Sequence, residues 1–135
     1  MLADLGLLAL RLTLGMVFLA HGAQMAGAFG GPGFTGVAGF IGSLGFRPPR
    51  AWAALAVGGE LLAGALFILG FALPLAAALA VATMLVAIVK VHAPKGFFVQ
   101  NGGYEYNLVL AVTAVALAVV GPGAISFDHL LHLAQ

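Results

Sequence analysis

Four apolar runs divide the chain, from about Leu5 to Met25, Ala51 to Leu69, Pro74 to His92 and Tyr104 to Val120. Each approaches the ~20 residues that cross ~30 Å of hydrocarbon at ~1.5 Å per residue. None alternates with period two, and a barrel would need shorter alternating segments and more of them, so all four are predicted as helices. The first run is not patterned as a cleaved leader. Asp4 precedes it, Arg11 interrupts it, and no basic cluster opens it, so it is predicted as the first span.

The residues between the runs agree with this division. Gly70 suits a left-handed helix end, and Pro74 suits the first turn of the helix that follows. So short a connection makes the second and third helices antiparallel neighbours. Pro94 has no N–H for the carbonyl of Lys90 and biases Ala93 away from helical geometry, which predicts a stop near His92. Gly121-Pro122-Gly123 ends the fourth run, and Ser126 is placed to cap a short last helix with Asp128 in its first turn. The long connection from Ala26 to Arg50 carries Phe34, Val37, Phe40, Ile41 and Leu44 on one helical face. Residues 34–44 are therefore predicted as a short interfacial or re-entrant helix, a flexible glycine-rich loop being the alternative. The expected fold is all-α and integral to the membrane. It is an antiparallel four-transmembrane-helix bundle, one domain over 1–135, with a short interfacial helix between the first and second spans.

Composition sharpens the class. Hydrophobic residues make up 63% of the chain and charged residues 7%, against about 45–50% and about 25% in soluble domains. The natural surroundings of such a chain are the lipid bilayer. A net charge of +1 offers no clustered basic surface for nucleic acid. With no cysteine, thiolate catalysis, disulfide relay and iron–sulfur ligation have no ligands within this chain.

Against this background the ionisable residues carry the information. A charge at the centre of a span costs roughly 2.5–3.5 kcal/mol on insertion scales. Glu60 lies ten residues past Arg50, about 15 Å into the membrane, and Arg11 is similarly committed. With four spans, His21, Glu60, His92 and Glu105 fall in one half of the bilayer, one from each helix, joined by Lys90, Gln24, Tyr104 and Asn107. A ligand site is therefore expected from His21, Glu60, Lys90, His92, Tyr104 and Glu105. Arg11 and Glu60 are also expected to form a structural ion pair that fixes helix register, since pairing is how buried charge survives. The bland alternative makes each histidine a cap or interface residue. No metal ligand set is assigned: a di-metal bundle needs Glu-x-x-His pairs, and the chain has none.

The same residues carry a resemblance. Leu10-Arg11 through Gly15, Phe18 and His21-Gly22, then Glu60, Gly64 and Leu69-Gly70, then Met84, Ala87 and His92 set its first part. Gly96-Phe97-Phe98, Gly102-Gly103-Tyr104-Glu105-Tyr106, Gly121-Pro122-Gly123, Ser126 and Asp128 complete it. In these the chain resembles the DoxX family of small bacterial and archaeal membrane proteins, departing from it at Gln24, where the family often has a basic residue. The resemblance implies a multi-pass protein of the cell membrane, a subunit of an oxidoreductase system. Quinone is the carrier it implies, and a protein partner would supply the electrons. Distant relatives serve instead as assembly factors. The expected function is thus quinone-type binding in the His/Glu-lined half. The alternatives are a non-enzymatic assembly or interaction module and a small transporter or proton pathway, and association of several copies stays open. No residue is assigned a catalytic role.

Overall fold

Residues 1–131 are described by the computed structural model, and every regular element among them is helical. The helices are α1 (Leu2–Met25), α2 (Gly33–Ser43), α3 (Pro49–Leu69), α4 (Leu73–Ala87), α5 (Glu105–Val120) and α6 (Phe127–Leu130). Among the described residues three stretches are long and apolar enough to cross a membrane: Leu2–Met25, Pro49–Leu69 and Leu73–Lys95. The fourth apolar helix, α5, is shorter at 16 residues.

Local chemistry sets the boundaries. Pro49 starts α3, where its missing N–H is no loss. Gly70, at φ 63°, ends it, with Gly70 N–H donating to the Phe67 carbonyl and Phe71 N–H to the Leu66 carbonyl. These are the two bonds of a Schellman end. Beyond Ala87 the chain widens into a π turn, Ile88–His92, and then a tight turn, Ala93–Lys95. Pro94 cannot satisfy the carbonyl of Lys90, and the helix loosens there. The expected stop near His92 does not occur: Ala93 stays helical at φ −56° and ψ −39°, and the winding runs on to Lys95.

One stripe of α1 faces inward: Arg11, Leu14, Gly15, Phe18 and Gly22 are buried, at helical spacing. It packs most extensively on α3. Gly15 lies against Gly64 and Ile68, and Gly22 against Leu61, so the two helices run antiparallel. A Cβ at Gly64 would sit 2.7 Å from the Leu19 nitrogen; only glycine lets the backbones come this close. Helix α3 packs on α4 and α4 on α5, while α5 touches α1 more lightly. The core between them holds Phe18 and Phe67, ring centroids 6.2 Å apart, with Leu73, Leu117 and many alanines. The outer surface is apolar too: Leu55, Val89 and Val119 are among many large side chains left exposed, as a lipid-facing surface requires.

Candidate ligand groove beneath α2

Helix α2 buries Val37 and Ala38 against Ala53 of α3, with Met25, Phe34, Ile41 and Val57 around them. It is thereby anchored over the N-terminal half of α3 and the end of α1. Between α2, α3 and the C-terminal half of α4 lies a groove of about 750 Å³, in the size range of small-molecule sites. Its walls include Phe40, Leu44, Phe46, Trp52, Leu79 and Val86. Phe40, Leu55 and Val86 line it yet remain exposed, so the groove opens sideways toward the surroundings of the bundle.

Two titratable side chains reach this apolar space, Glu60 and His92. Glu60 shares a face of α3 with Ala53, Ala63 and Phe67 and is 7% exposed. Its Oε2 has no protein hydrogen-bond partner. A buried carboxyl left unbonded is costly, and here it borders the groove. The Thr83 hydroxyl, also at the wall, is occupied by the carbonyls of Leu79 and Ala80 at 3.2 and 3.0 Å. His92, at the end of the π turn, has its Nδ1 2.7 Å from the Gly102 carbonyl. A carbonyl only accepts, so Nδ1 carries the hydrogen and Nε2 of the neutral ring keeps its lone pair.

The other expected site residues lie elsewhere. Glu105 accepts from the Val99 N–H through Oε1 at 2.8 Å. Together with Tyr104 N–H to Gly96, Glu105 N–H to Phe97 and Gly103 N–H to Phe98 carbonyl bonds, it fastens the loop between α4 and α5. The Tyr104 ring meets Phe97 edge-on, centroids 5.5 Å apart. His21 is exposed, 6.3 Å from the Tyr106 ring, and Lys90 lies over the Phe46 ring at 5.7 Å. Among the described residues no three His, Asp or Glu side chains converge to hold a metal.

The expected Arg11–Glu60 ion pair does not form. Antiparallel packing sets Arg11 beside the α3–α4 turn, while Glu60 lies toward the level of Gly22. Arg11 is 1% exposed, and its Nη2 donates to the Ile125 carbonyl at 2.5 Å. Its guanidinium fills the space a side chain at Gly70 would take. The tail that supplies Ile125 is itself fastened. Ala124 N–H donates to Asp4 at 2.8 Å, Ala72 N–H to Asp128 at 3.1 Å, and the Ser126 hydroxyl accepts from His129 N–H at 3.1 Å, capping α6. Phe127 meets Phe71 edge-on. Nε and Nη1 of Arg11 have no protein acceptor.

Sequence reasoning missed Trp52, Phe46 and Leu79 as walls of the groove. The apolar face of α2 was legible; what it covers was not.

Comparisons with known proteins follow the same outline. The family model described as DoxX matches residues 6–93. Over 125 residues, 93% of this chain and 86% of the other, the sequence is 29% identical to the protein named "Putative oxidoreductase CatD" of Bacillus subtilis (strain 168). No solved structure matches.

Proposed function

The chain belongs to the DoxX family, and from that premise we propose that it is a membrane subunit of an oxidoreductase system whose groove holds a quinone-like carrier. The name of the B. subtilis relative supports an oxidoreductase role. The observation that carries the quinone reading is the unpartnered Oε2 of buried Glu60 in a laterally open, apolar groove that His92 also lines. An apolar carrier reaches such a groove from the lipid without crossing water. Its two oxygens need polar contacts, and few others are free there.

Reduction of a quinone to a quinol takes two electrons and two protons. The chain holds no cysteine, so the electrons come from a partner protein bearing a redox centre. The residues of the groove handle protons. A protonated Glu60 donates to a quinone oxygen, and His92 Nε2 accepts from a quinol hydroxyl or, on the protonated ring, donates to the oxidised form.

In this reading α5, about 24 Å long at ~1.5 Å per residue, is the fourth span of an antiparallel bundle in the cell membrane. A non-enzymatic assembly module is the competing reading. It is favoured by Glu105 and Arg11, whose contacts fasten backbone.

Titration of a short-chain quinone into wild type and Glu60→Gln, in nanodiscs and in detergent, tests the proposal. Saturable binding is expected, weakened by roughly 1–3 kcal/mol in the variant, the usual range for a lost buried hydrogen bond. No saturable binding by wild type in either medium overturns it.

A further inference from the structure

We infer that the α2 face of the bundle docks on the anionic headgroups of a phospholipid leaflet, with Arg50 and Lys90 as the contacting cations. The chain has five Lys and Arg residues. Four of them, Arg47, Arg50, Lys90 and Lys95, lie just before or at the start of α3 or in the turns that follow α4, and all four are exposed. The fifth, Arg11, is buried at the other end. Asp4 and Asp128 belong to that other end too, tied to the N–H groups of Ala124 and Ala72.

The four cations are not equivalent. Arg47 Nη1 donates to the carbonyls of Gly42 and Phe46 at 2.9 and 3.1 Å, closing the end of α2. The stem of Lys95 lies over Gly102. Arg50 and Lys90 are held differently, by aromatic faces: Arg50 over Phe34 at 5.4 Å and Lys90 over Phe46 at 5.7 Å. Among the described residues neither makes a salt bridge. Of the two carboxylates on this side, Glu105 is engaged by the Val99 N–H and Glu60 is buried at the groove. Phe46 in turn packs on Trp52 at 5.3 Å, and the Trp52 indole N–H points to the Arg47 carbonyl at 3.3 Å.

Cations standing on a belt of Trp and Phe, beside the helix packed on α3, match the chemistry of the headgroup layer. Aromatic rings sit at its depth, and Lys and Arg reach its phosphates. Anionic lipid attracts such cations by about 1 kcal/mol each, within a Debye length. The same asymmetry sets the α2 face on the cytoplasmic side. This inference stands apart from the quinone reading, since neither cation is assigned a part in the groove.

The test reconstitutes the full chain in nanodiscs of phosphatidylcholine with rising phosphatidylglycerol and reads thermal stability and the lipid retained on gentle extraction. Wild type is expected to gain stability with phosphatidylglycerol, less so at high salt. It should retain that lipid about fivefold more strongly per cation than Arg50→Gln or Lys90→Gln, the factor equivalent to about 1 kcal/mol. Arg50→Lys and Lys90→Arg are expected to keep the effect. Equal responses in wild type and the double Gln variant overturn the inference. So does reproduction of the stabilisation by inorganic phosphate in pure phosphatidylcholine, which assigns the cations to a free anion. Quinone titration of the double variant, expected unchanged, separates this outcome from failure of the groove.

Discussion

The two ends of the bundle each bury an ionisable side chain with unbonded polar atoms, Nε and Nη1 of Arg11 and Oε2 of Glu60, and differ in what borders it. At the α3–α4 turn, Arg11 is enclosed by Gly70, and the Ile125 carbonyl accepts from it. Asp4, Asp128 and Ser126 fasten the tail that supplies that carbonyl. Beneath α2, Glu60 has no donor for Oε2, and the space beside it is a groove and not a packed wall. A buried ion bound by backbone is a fastening, and its removal loosens the structure. Under the proposed function, a buried carboxyl that borders open apolar space meets a ligand where a packed wall would otherwise be. Two charged residues that look alike along the chain thus take different parts.

The largest expected effect breaks the closed end. Arg11→Ala is predicted to cost about 3–4 kcal/mol, through a large cavity and a lost charge-assisted hydrogen bond, read as a fall in melting temperature in detergent. A double-mutant cycle with Glu60→Gln should be additive within about 0.5 kcal/mol; a larger coupling would mean the two charges do interact. Gly70→Ala comes next, at about 2–3 kcal/mol, since its Cβ needs a left-handed backbone and meets the guanidinium. Ser126→Ala removes only the cap of α6 and is expected to cost about 1 kcal/mol.

The open end should behave otherwise. At Gly59 the nearest atom to an added Cβ is the Thr83 methyl at 3.8 Å, an ordinary contact. Gly59→Ala is therefore expected to raise stability by up to about 1 kcal/mol, from helix propensity. Glu60→Gln is expected to leave the melting temperature nearly unchanged while weakening quinone binding. If it unfolded the protein as Arg11→Ala does, the distinction between the two ends would fail.

Much of the fold was legible along the chain because lipid imposes simple rules. Backbone polar groups in hydrocarbon must bond within the segment, so the length of an apolar run and its Gly and Pro boundaries located α1, α3 and α4 closely. Gly70 and Ser126 ended or capped elements for local reasons that need no neighbour. The face of α2 was visible in its spacing. Of the expected ligand set, only Glu60 and His92 border the groove. His21, Glu60, His92 and Glu105 were grouped by depth alone, and depth does not say which way a side chain points around its helix axis.

What the sequence determined by itself is therefore the class, the helices, their ends and the short list of polar residues at similar depth. Those follow from composition and from interactions within a few residues. Tertiary structure decided the rest. The crossing at Gly15 and Gly64 fixed the register of α1 on α3, and with it the separation of Arg11 from Glu60. The π turn and the Gly102 carbonyl aimed His92, and the Val99 N–H took Glu105 into the loop. The seating of α2 on α3 roofed a groove around Glu60. Rotation about a helix axis and register between helices depend on contacts between residues distant in the chain, and a hydrophobic pattern nearly uniform around α1, α3, α4 and α5, as lipid allows, carries almost no record of them.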